Sequence, residues 1–287
     1  MGVRKFSLIV VISALLSGCS QSANTLNESS SMTRIISAAS GAAEILGEIG
    51  LSDSVVGVDE RNSSSSQVQK VTTGHSFNVE QVIALRPTHI VVDSLTDTKE
   101  MRKQFKDQAI TFVTLPLAES IADIFTKYEI LGREFGKETQ ATQASDELRK
   151  KFEAFKGNGQ SHRIAFLYLR GTNAIYLLGG KGSGADSLIE ALGSIDVGAE
   201  NSSQPFSPLS AEVMRAINPD VLLLMKGGLE SVGGLKGLSS LPGLANTTAV
   251  KRKQLIVIDD QELLDFGPRT LDVLAQMKKQ LGSFHAA

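Results

Sequence analysis

Short apolar runs alternate along the chain with segments in which apolar residues recur every three or four positions. Each run is bounded by turn-forming residues, which is typical of buried β-strands, and each intervening segment has the period of an amphipathic helix. Between residues 34 and 117 the runs are RIISA, VVGVD, HIVVD and AITFVTL. Alternation of this kind predicts an α/β fold with mainly parallel sheets covered by helices.

The segment that follows has a different pattern. From Ala118 to about Phe155 no proline occurs, and apolar residues keep three- and four-residue steps past Gly132 and Gly136. This pattern predicts one long helix. A second α/β series then begins, with the apolar runs RIAFLYLR, AIYLLGG, VLLLM and QLIVIDD.

The two α/β series have similar sequences at one point. FNVEQVIALRPTHIVV and SPLSAEVMRAINPDVLLL share the same spacing of glutamate, alanine and proline, and an apolar strand follows each proline. Duplicated architecture explains this similarity better than coincidence does. We therefore predict two similar lobes, residues 34–117 and 158–287, joined by a linking helix over residues 118–157.

The N-terminal residues predict export. Arg4 and Lys5 precede an apolar run that is too short to span a bilayer but suits a signal peptide. The sequence LSGC, which ends at Cys19, resembles the lipobox of bacterial lipoproteins. We predict a signal peptide over residues 1–18 and a lipidated Cys19 that begins a flexible tether, residues 19–33, at the outer face of the cell membrane or in the periplasm. An ordinary signal peptide with a chance cysteine is the alternative.

Composition and motifs narrow the functional classes. The chain has 29 Lys and Arg against 31 Asp and Glu, so no basic excess indicates nucleic acid. Neither a G-x-S-x-G nor an H-E-x-x-H hydrolase motif occurs. Residues 180–185 fit G-x-G-x-x-A, which leaves open an exported enzyme with a cofactor turn. We interpret this stretch as a tight strand-to-helix turn lining the cleft between the lobes.

One of the four histidines stands out by its position. His75 follows Gly74 and precedes a helix that is predicted to begin near Asn78. In open parallel sheets, ligands gather at such connections beyond the strand ends. His75 is therefore a candidate ligand-binding residue with Phe77 as an apolar wall, although a solvated loop histidine has the same local sequence.

Four longer stretches carry a family resemblance. They are TGHSFNVEQVIALRP, RGTNAIYLLGGKGSGADSLIEALG, LLLMKGGLESVGGLKGL and ELLDFGPRT. They resemble the substrate-binding components of bacterial ABC importers for haem, cobalamin and ferric siderophores, and within that group the haemin-binding lipoproteins. The resemblance implies a monomeric carrier without catalytic activity, which captures ferric haem outside the cytoplasm and delivers it to an ABC permease and its ATPase.

The same resemblance implies roles for individual residues. His75 would be one axial iron ligand, and Tyr176 from the opposite lobe would be the other unless it is a packed strand residue. Glu80 and Glu212 would dock onto the permease. Candidate pocket residues are Phe77, Met225, Arg61, Arg170 and Arg269, the three arginines as partners of the haem propionates.

Three alternatives stay open. The same scaffold binds cobalamin or a ferric siderophore in other members of the group. An exported enzyme and a structural lipoprotein without a small ligand are the other two.

Overall fold

The computed structural model describes residues 1–2, 32–60, 62, 67–73, 76–106, 108–155 and 161–284. The chain divides into two compact units, Met1–Met32 and Thr33–Ala287. Only Met1, Gly2 and Met32 of the first unit are described, so the fold below belongs to the second. Four predicted features lie outside the described residues: most of the signal peptide and tether, Cys19, Arg61 and His75. Within the described ranges, none of the helices has the length and apolarity needed to cross a membrane.

The first sheet is formed by parallel strands between residues 35 and 115. Its strands are β1 (Ile35–Ser37), β2 (Val55–Val58), β3 (Gln69–Lys70), β6 (His89–Asp93) and β7 (Thr111–Leu115), in the order β3-β2-β1-β6-β7. An antiparallel hairpin of β4 (Thr72–Thr73) and β5 (Ser76–Phe77) lies apart from it. The helices of this region are α1 (Ala42–Glu48), α2 (Val79–Ala84), α3 (Thr98–Gln104) and a 3-10 turn, Ser52–Ser54.

The segment predicted as one long helix forms two helices, α4 (Ile121–Glu134) and α5 (Glu138–Phe155). Gly136 adopts a left-handed conformation, φ 61°, and the backbone N–H of Lys137 donates to the carbonyl of Gly132 at 2.7 Å. This is the glycine-terminated helix end that satisfies the last carbonyls. The helices then pack antiparallel, with the rings of Phe125 and Phe152 6.2 Å apart. The single linking helix is therefore corrected to a helical hairpin.

The second sheet is mixed. Its strands are β8 (Arg163–Arg170), β9 (Ile175–Gly179), β10 (Ile195–Asp196), β11 (Phe206–Pro208), β12 (Val221–Met225) and β13 (Leu255–Ile258), in the order β11-β9-β8-β12-β13 with β10 beside β8. Strands β8, β12 and β13 are parallel, whereas β9 is antiparallel to β8 and β11. The prediction of an α/β fold with mainly parallel sheets is confirmed.

Short helices connect the strands of the second sheet, and a longer one ends the described chain. They are α6 (Ala185–Ala191), α7 (Val197–Asn201), α8 (Ala211–Ile217), α9 (Lys226–Ser231), α10 (Gly234–Leu238), α11 (Thr248–Arg252), α12 (Asp260–Leu263) and α13 (Thr270–Ser283), with 3-10 turns at Gly171–Asn173 and Leu244–Asn246.

One core extends through both sheets. Ile35 and Leu115 of the first sheet, Tyr128 of α4 and Phe166 of the second sheet belong to the same buried cluster. Two smaller clusters cover the outer faces, one around Val82 on the first sheet and one around Met214 on the second. The continuous central core holds the carboxyl ends of the two sets of parallel strands at fixed positions relative to each other.

Candidate ligand-binding site

A cavity of about 520 Å³ lies between the carboxyl ends of the two sheets. Its volume is in the range of small-molecule pockets, and strand ends of this kind are where open α/β sheets bind ligands. The first sheet contributes Ser37, Ala38, Ala39, Ser40, Gly41, Glu44, Asp59 and Asn62. The second sheet and the loops after it contribute Tyr168, Arg170, Asp260, Gln261, Leu264, Asp265 and Arg269.

On the first-sheet side, the cavity wall is joined to the β4–β5 hairpin. The hydroxyl of Thr72 donates to Asp59 Oδ2 at 3.0 Å and accepts the backbone N–H of Glu60 at 2.9 Å. Both Thr72 and Asp59 are buried. Thr73 pairs with Ser76, so the β4–β5 hairpin begins at the cavity wall. His75 itself lies outside the described residues.

On the second-sheet side, Tyr168 and Arg170 project into the cavity from the end of β8. They are two residues apart on one strand, so their side chains share a face. The guanidinium carbon of Arg170 lies 4.6 Å from the ring centroid of Tyr168, within the range of a cation–π contact. Asp260 Oδ2 accepts a hydrogen bond from Arg170 Nη1 at 3.4 Å. These three residues form the second-sheet wall.

A second arginine lies at the same cavity. Arg269 Nη2 donates to Glu262 Oε1 at 2.7 Å, and Arg269 lines the cavity while Glu262 does not. Its side chain is 35% exposed, so the guanidinium is accessible to a ligand. Among the described residues, the cavity lining therefore contains two cationic groups, each paired with a carboxylate.

A buried lysine beside the main cavity joins the two lobes, and it lines a smaller neighbouring cavity with Ser40 and Asp265. Lys127 Nζ donates to the carbonyl oxygens of Ser40 and Phe266, at 2.8 Å each. Burial lowers the pKa of Lys127 to about 8, against the opposing effect of Asp265 and other carboxylates. Burial also raises the pKa of Asp265, and the nearby Glu44 adds to this effect.

Apolar side chains border these polar groups. Leu264 lines the main cavity and also a smaller neighbouring one that includes Leu117. Leu117 is 46% exposed and Leu95, on the loop after β6, is 76% exposed. Phe206 contacts the ring of Tyr168 edge-on at 5.8 Å. Of these apolar side chains, Leu264 lines the main cavity directly, and Phe206 packs against its Tyr168 wall.

Several predicted site residues lie elsewhere. Tyr176 pairs with Leu169 across the β8–β9 ladder, so it shares the face of Leu169 and lies on the opposite face from Tyr168. It packs on the outer core of the second sheet. Met225 is 3% exposed within the central core, and Phe77 packs on the outer core of the first sheet. None of these three residues lines the cavity, whereas Arg170 and Arg269 do.

Glu80 and Glu212 occupy matching positions. Each is exposed in the first turn of its helix, α2 or α8. Each helix is capped in the same way, because Asn78 and Ser210 accept the backbone N–H three residues later. The repeated spacing in the sequence therefore corresponds to repeated local structure.

The glycine-rich stretch joins β9 to α6 as a tight turn, but it does not line the cavity. A Cβ on Gly180 would lie 2.4 Å from the carbonyl oxygen of Gln204, and one on Gly184 would lie 2.8 Å from Phe266. Close packing within the chain therefore requires glycine at positions 180 and 184. Asp186 Oδ2 accepts the N–H of Gly182 at 2.8 Å, where a nucleotide phosphate would be repelled.

Sequence reasoning missed Tyr168, Asp260 and Leu264. A local signal did exist for the first, because Tyr168 and Arg170 stand at the carboxyl end of an apolar run with the two-residue spacing of one strand face. Asp260 is 90 residues from Arg170 in the chain, so no local pattern connects them. In the part of the chain that the structure describes, no group of three or more His, Cys, Asp and Glu side chains is arranged to hold a metal ion.

Comparison of the sequence with known proteins gives a family and two kinds of relative. The family described as periplasmic binding protein matches residues 35–262. The uncharacterized ABC transporter substrate-binding lipoprotein YvrC of Bacillus subtilis (strain 168) is 22% identical over 257 residues, which cover 86% of this chain and 79% of YvrC. A cobalamin-binding protein of Halobacterium salinarum is 25% identical over 256 residues, which cover 85% of this chain and 68% of that protein.

Comparison with solved structures gives haem-binding proteins. The periplasmic haem-binding protein RhuT from Roseiflexus sp. RS-1 superimposes with a TM-score of 0.74 at 28% identity, covering 86% of this chain and 98% of RhuT. The haem-binding protein HmuT superimposes with a TM-score of 0.72 at 27% identity, covering 87% of this chain and 84% of HmuT. HmuT has also been solved with a histidine, a tyrosine, and an arginine two positions after that tyrosine each replaced by alanine.

Proposed function

This chain belongs to the periplasmic binding protein family, and from that premise we propose that it is the substrate-binding component of an ABC importer whose ligand is ferric haem. Haem enters the cavity between the lobes, residues 34–117 and 158–287. The protein then delivers it to a permease that is driven by its own ATPase. It is a carrier and catalyses no reaction.

The observation that carries this proposal is Tyr168 on the cavity wall with Arg170 beside it. A tyrosine oxygen is an established axial ligand of haem iron, and as a hard anionic donor it favours the ferric state. The tyrosine and arginine replaced in HmuT have the same two-residue spacing as Tyr168 and Arg170. We therefore assign the second-lobe donor to Tyr168, in place of Tyr176 on the opposite face of the sheet.

His75 is proposed as the donor from the first lobe. It belongs to the segment between Thr73 and Ser76, which pair across the β4–β5 hairpin, and the hairpin begins at the buried Thr72–Asp59 hydrogen bond on the cavity wall. An imidazole and a phenolate from opposite lobes would hold the iron between them.

The remaining contacts of a porphyrin follow from the lining. Arg269 is proposed to bind a propionate, because bidentate guanidinium–carboxylate pairing is the strong form of such contacts and Arg269 remains accessible. Arg61 is proposed as a second propionate partner. Arg170 already contacts Asp260 and Tyr168, so its role is at the iron donor. Leu264 supplies an apolar contact for the ring, and Phe206 supports Tyr168 by packing against it.

Cobalamin is the second candidate ligand. A relative that this chain matches over 68% of its length is named as a cobalamin-binding protein. Ser37 Oγ lies buried at the cavity and, among the described residues, has no hydrogen-bond partner. Together with the Asp59 carboxylate it offers acceptors that suit the amide N–H groups of a corrinoid side chain.

Attachment and delivery complete the proposal. Lipidated Cys19 anchors the protein at the extracytoplasmic face of the membrane. Glu80 and Glu212, exposed at equivalent points of the two lobes, dock onto basic residues of the permease. Each carboxylate is also placed favourably for its helix dipole, which is compatible with docking.

The test is a titration of the purified protein with haemin, read by visible absorption, beside His75→Ala and with cyanocobalamin and a ferric hydroxamate as competitors. We expect a saturable Soret band at one equivalent that shifts in His75→Ala and resists both competitors. Absence of a saturable band in the wild type, or its loss on addition of cobalamin, would contradict haem as the ligand.

A further inference from the structure

We propose that Asp260 is a positioning residue for the ligand donor: it holds the Arg170 guanidinium against the ring of Tyr168, and through that arginine it controls how long a haem stays bound. Only the claim about haem release rests on the proposed function. The arrangement of the three side chains belongs to the ligand-free protein.

Asp260 joins the ends of three adjacent parallel strands. Its Oδ2 atom accepts from Arg170 Nη1, at the end of β8. Its Oδ1 atom accepts the backbone N–H of Gly227 at 2.6 Å, just after β12. Asp260 itself follows β13 and begins α12. One carboxylate therefore fixes β8, β12 and β13 relative to one another at the cavity.

The position of this carboxylate is constrained on the side away from Arg170. A Cβ on Gly227 would lie 3.0–3.3 Å from the three carboxylate atoms of Asp260, so the carboxylate packs tightly against this backbone. With Oδ1 bound to this backbone, Oδ2 has one direction in which to meet Arg170. The carboxylate is therefore held more firmly than a free surface aspartate.

Arg170 depends on this partner for its orientation. An arginine side chain has many rotamers, and fixing it costs on the order of 2 kcal/mol. Besides Asp260, its Nη1 atom donates only to the carbonyl of Leu169, the preceding residue, among the contacts of the described chain. Residues that orient a metal ligand typically change metal affinity by about 10–100-fold when replaced. Asp260 acts in this way indirectly, because it orients Arg170, which in turn contacts Tyr168.

Two substitutions separate position from charge. Asp260→Asn keeps the shape and the acceptor for Gly227 but presents an amide to Arg170. Asp260→Glu keeps the charge but moves the carboxylate by one methylene in a space that Gly227 limits. We expect both variants to release haem about 10–100-fold faster to excess apomyoglobin in a stopped-flow transfer assay. Thermal unfolding of each variant confirms that it is folded.

A double-mutant cycle then tests whether the effect of Asp260 on haem release depends on Arg170. In an Arg170→Ala background, Asp260→Asn is expected to change the release rate by less than about twofold, because its effect passes through the missing arginine. If the increases in release rate from the two substitutions multiply in the double variant, the inference is overturned. It is also overturned if both Asp260 variants release haem within about twofold of the wild-type rate. Glu230→Gln, which removes an exposed carboxylate on α9 outside the cavity, is the matched control.

A ligand-free readout keeps this inference separate from the proposed function. In a protein labelled with ¹⁵N-arginine, the Arg170 Nε–H signal is identified by its loss in Arg170→Ala. We expect it to move in Asp260→Asn and Asp260→Glu and to stay in place in Glu230→Gln. An unmoved signal in both Asp260 variants would overturn the positioning role, whereas failure of haemin to bind would remove only the haem proposal.

Discussion

Replacing Lys127 by methionine tests how the two lobes are joined beside the main cavity. Lys127 is 2% exposed, and its Nζ donates to the carbonyl oxygens of Ser40 and Phe266. Methionine fills a similar volume but leaves both carbonyls without a donor, and each unsatisfied buried acceptor costs about 1–3 kcal/mol. At pH 7 the wild type also carries the cost of burying a charged ammonium, so we expect a net loss of about 1–3 kcal/mol in the variant.

The stabilisation that Lys127 provides should also depend on pH. Burial lowers the pKa of Lys127 from 10.5 to about 8. Between these values the folded protein holds a neutral amine, whose two N–H groups match the two carbonyls, while the unfolded chain stays protonated. The unfolded state therefore binds more protons, and the folded state gains stability as the pH rises. A lowering of this size corresponds to about 3 kcal/mol.

The assay is urea unfolding followed by circular dichroism at several pH values between 7 and 10.5. The difference in free energy of unfolding between wild type and Lys127→Met is expected to grow by up to about 3 kcal/mol across this range. Lys103→Met, at a lysine whose side chain is 65% exposed, is the control for high-pH effects on the rest of the chain. A difference for Lys127→Met that stays flat or shrinks as the pH rises would show that Lys127 is not a buried lysine with a lowered pKa.

Three further predictions concern the ligand, the permease and the fold. Arg269→Ala should weaken the binding of haemin but not of haemin dimethyl ester, because the ester lacks free carboxylates. Absorption titrations with the two ligands measure this, and an equal loss of affinity for both would count against a propionate contact. Glu80→Ala combined with Glu212→Ala should leave haemin affinity unchanged while reducing uptake by membrane vesicles containing the permease, and unchanged uptake would exclude docking there. Gly184→Ala should lower the free energy of unfolding by about 2 kcal/mol or more, because φ is +85° and the new Cβ would meet Phe266 at 2.8 Å; urea unfolding within about 0.5 kcal/mol of wild type would contradict this.

The layered fold could be predicted from the sequence because its strands and helices have clear apolar periods. The break between α4 and α5 could not, because both helices turn apolar faces toward the same central core and the pattern continues past it. Gly136 ends α4 through its left-handed conformation, and periodicity alone does not distinguish that role from a tolerated interior glycine. The left-handed conformation of Gly136 therefore divides the predicted helix into α4 and α5.

The site was harder to predict than the fold. Tyr168 and Tyr176 both lie in strands, and the choice between them depends on which sheet face meets the cavity. That face is set by packing of helices from distant parts of the chain. The Asp260–Arg170 and Lys127–Phe266 contacts join residues 90 and 139 positions apart, which no local pattern encodes. His75, Arg61 and Cys19 remain predictions from sequence and resemblance.

The central claim is that the cavity wall bearing Tyr168 holds the iron of a ferric haem. The most direct measurement is the dissociation constant for haemin of Tyr168→Phe beside Tyr176→Phe, two variants that each remove one hydroxyl from opposite faces of the same sheet. We predict that Tyr168→Phe weakens binding by at least about tenfold, or 1.4 kcal/mol, and shifts the visible spectrum, while Tyr176→Phe matches the wild type. A loss confined to Tyr176→Phe, or no loss in either variant, would contradict it.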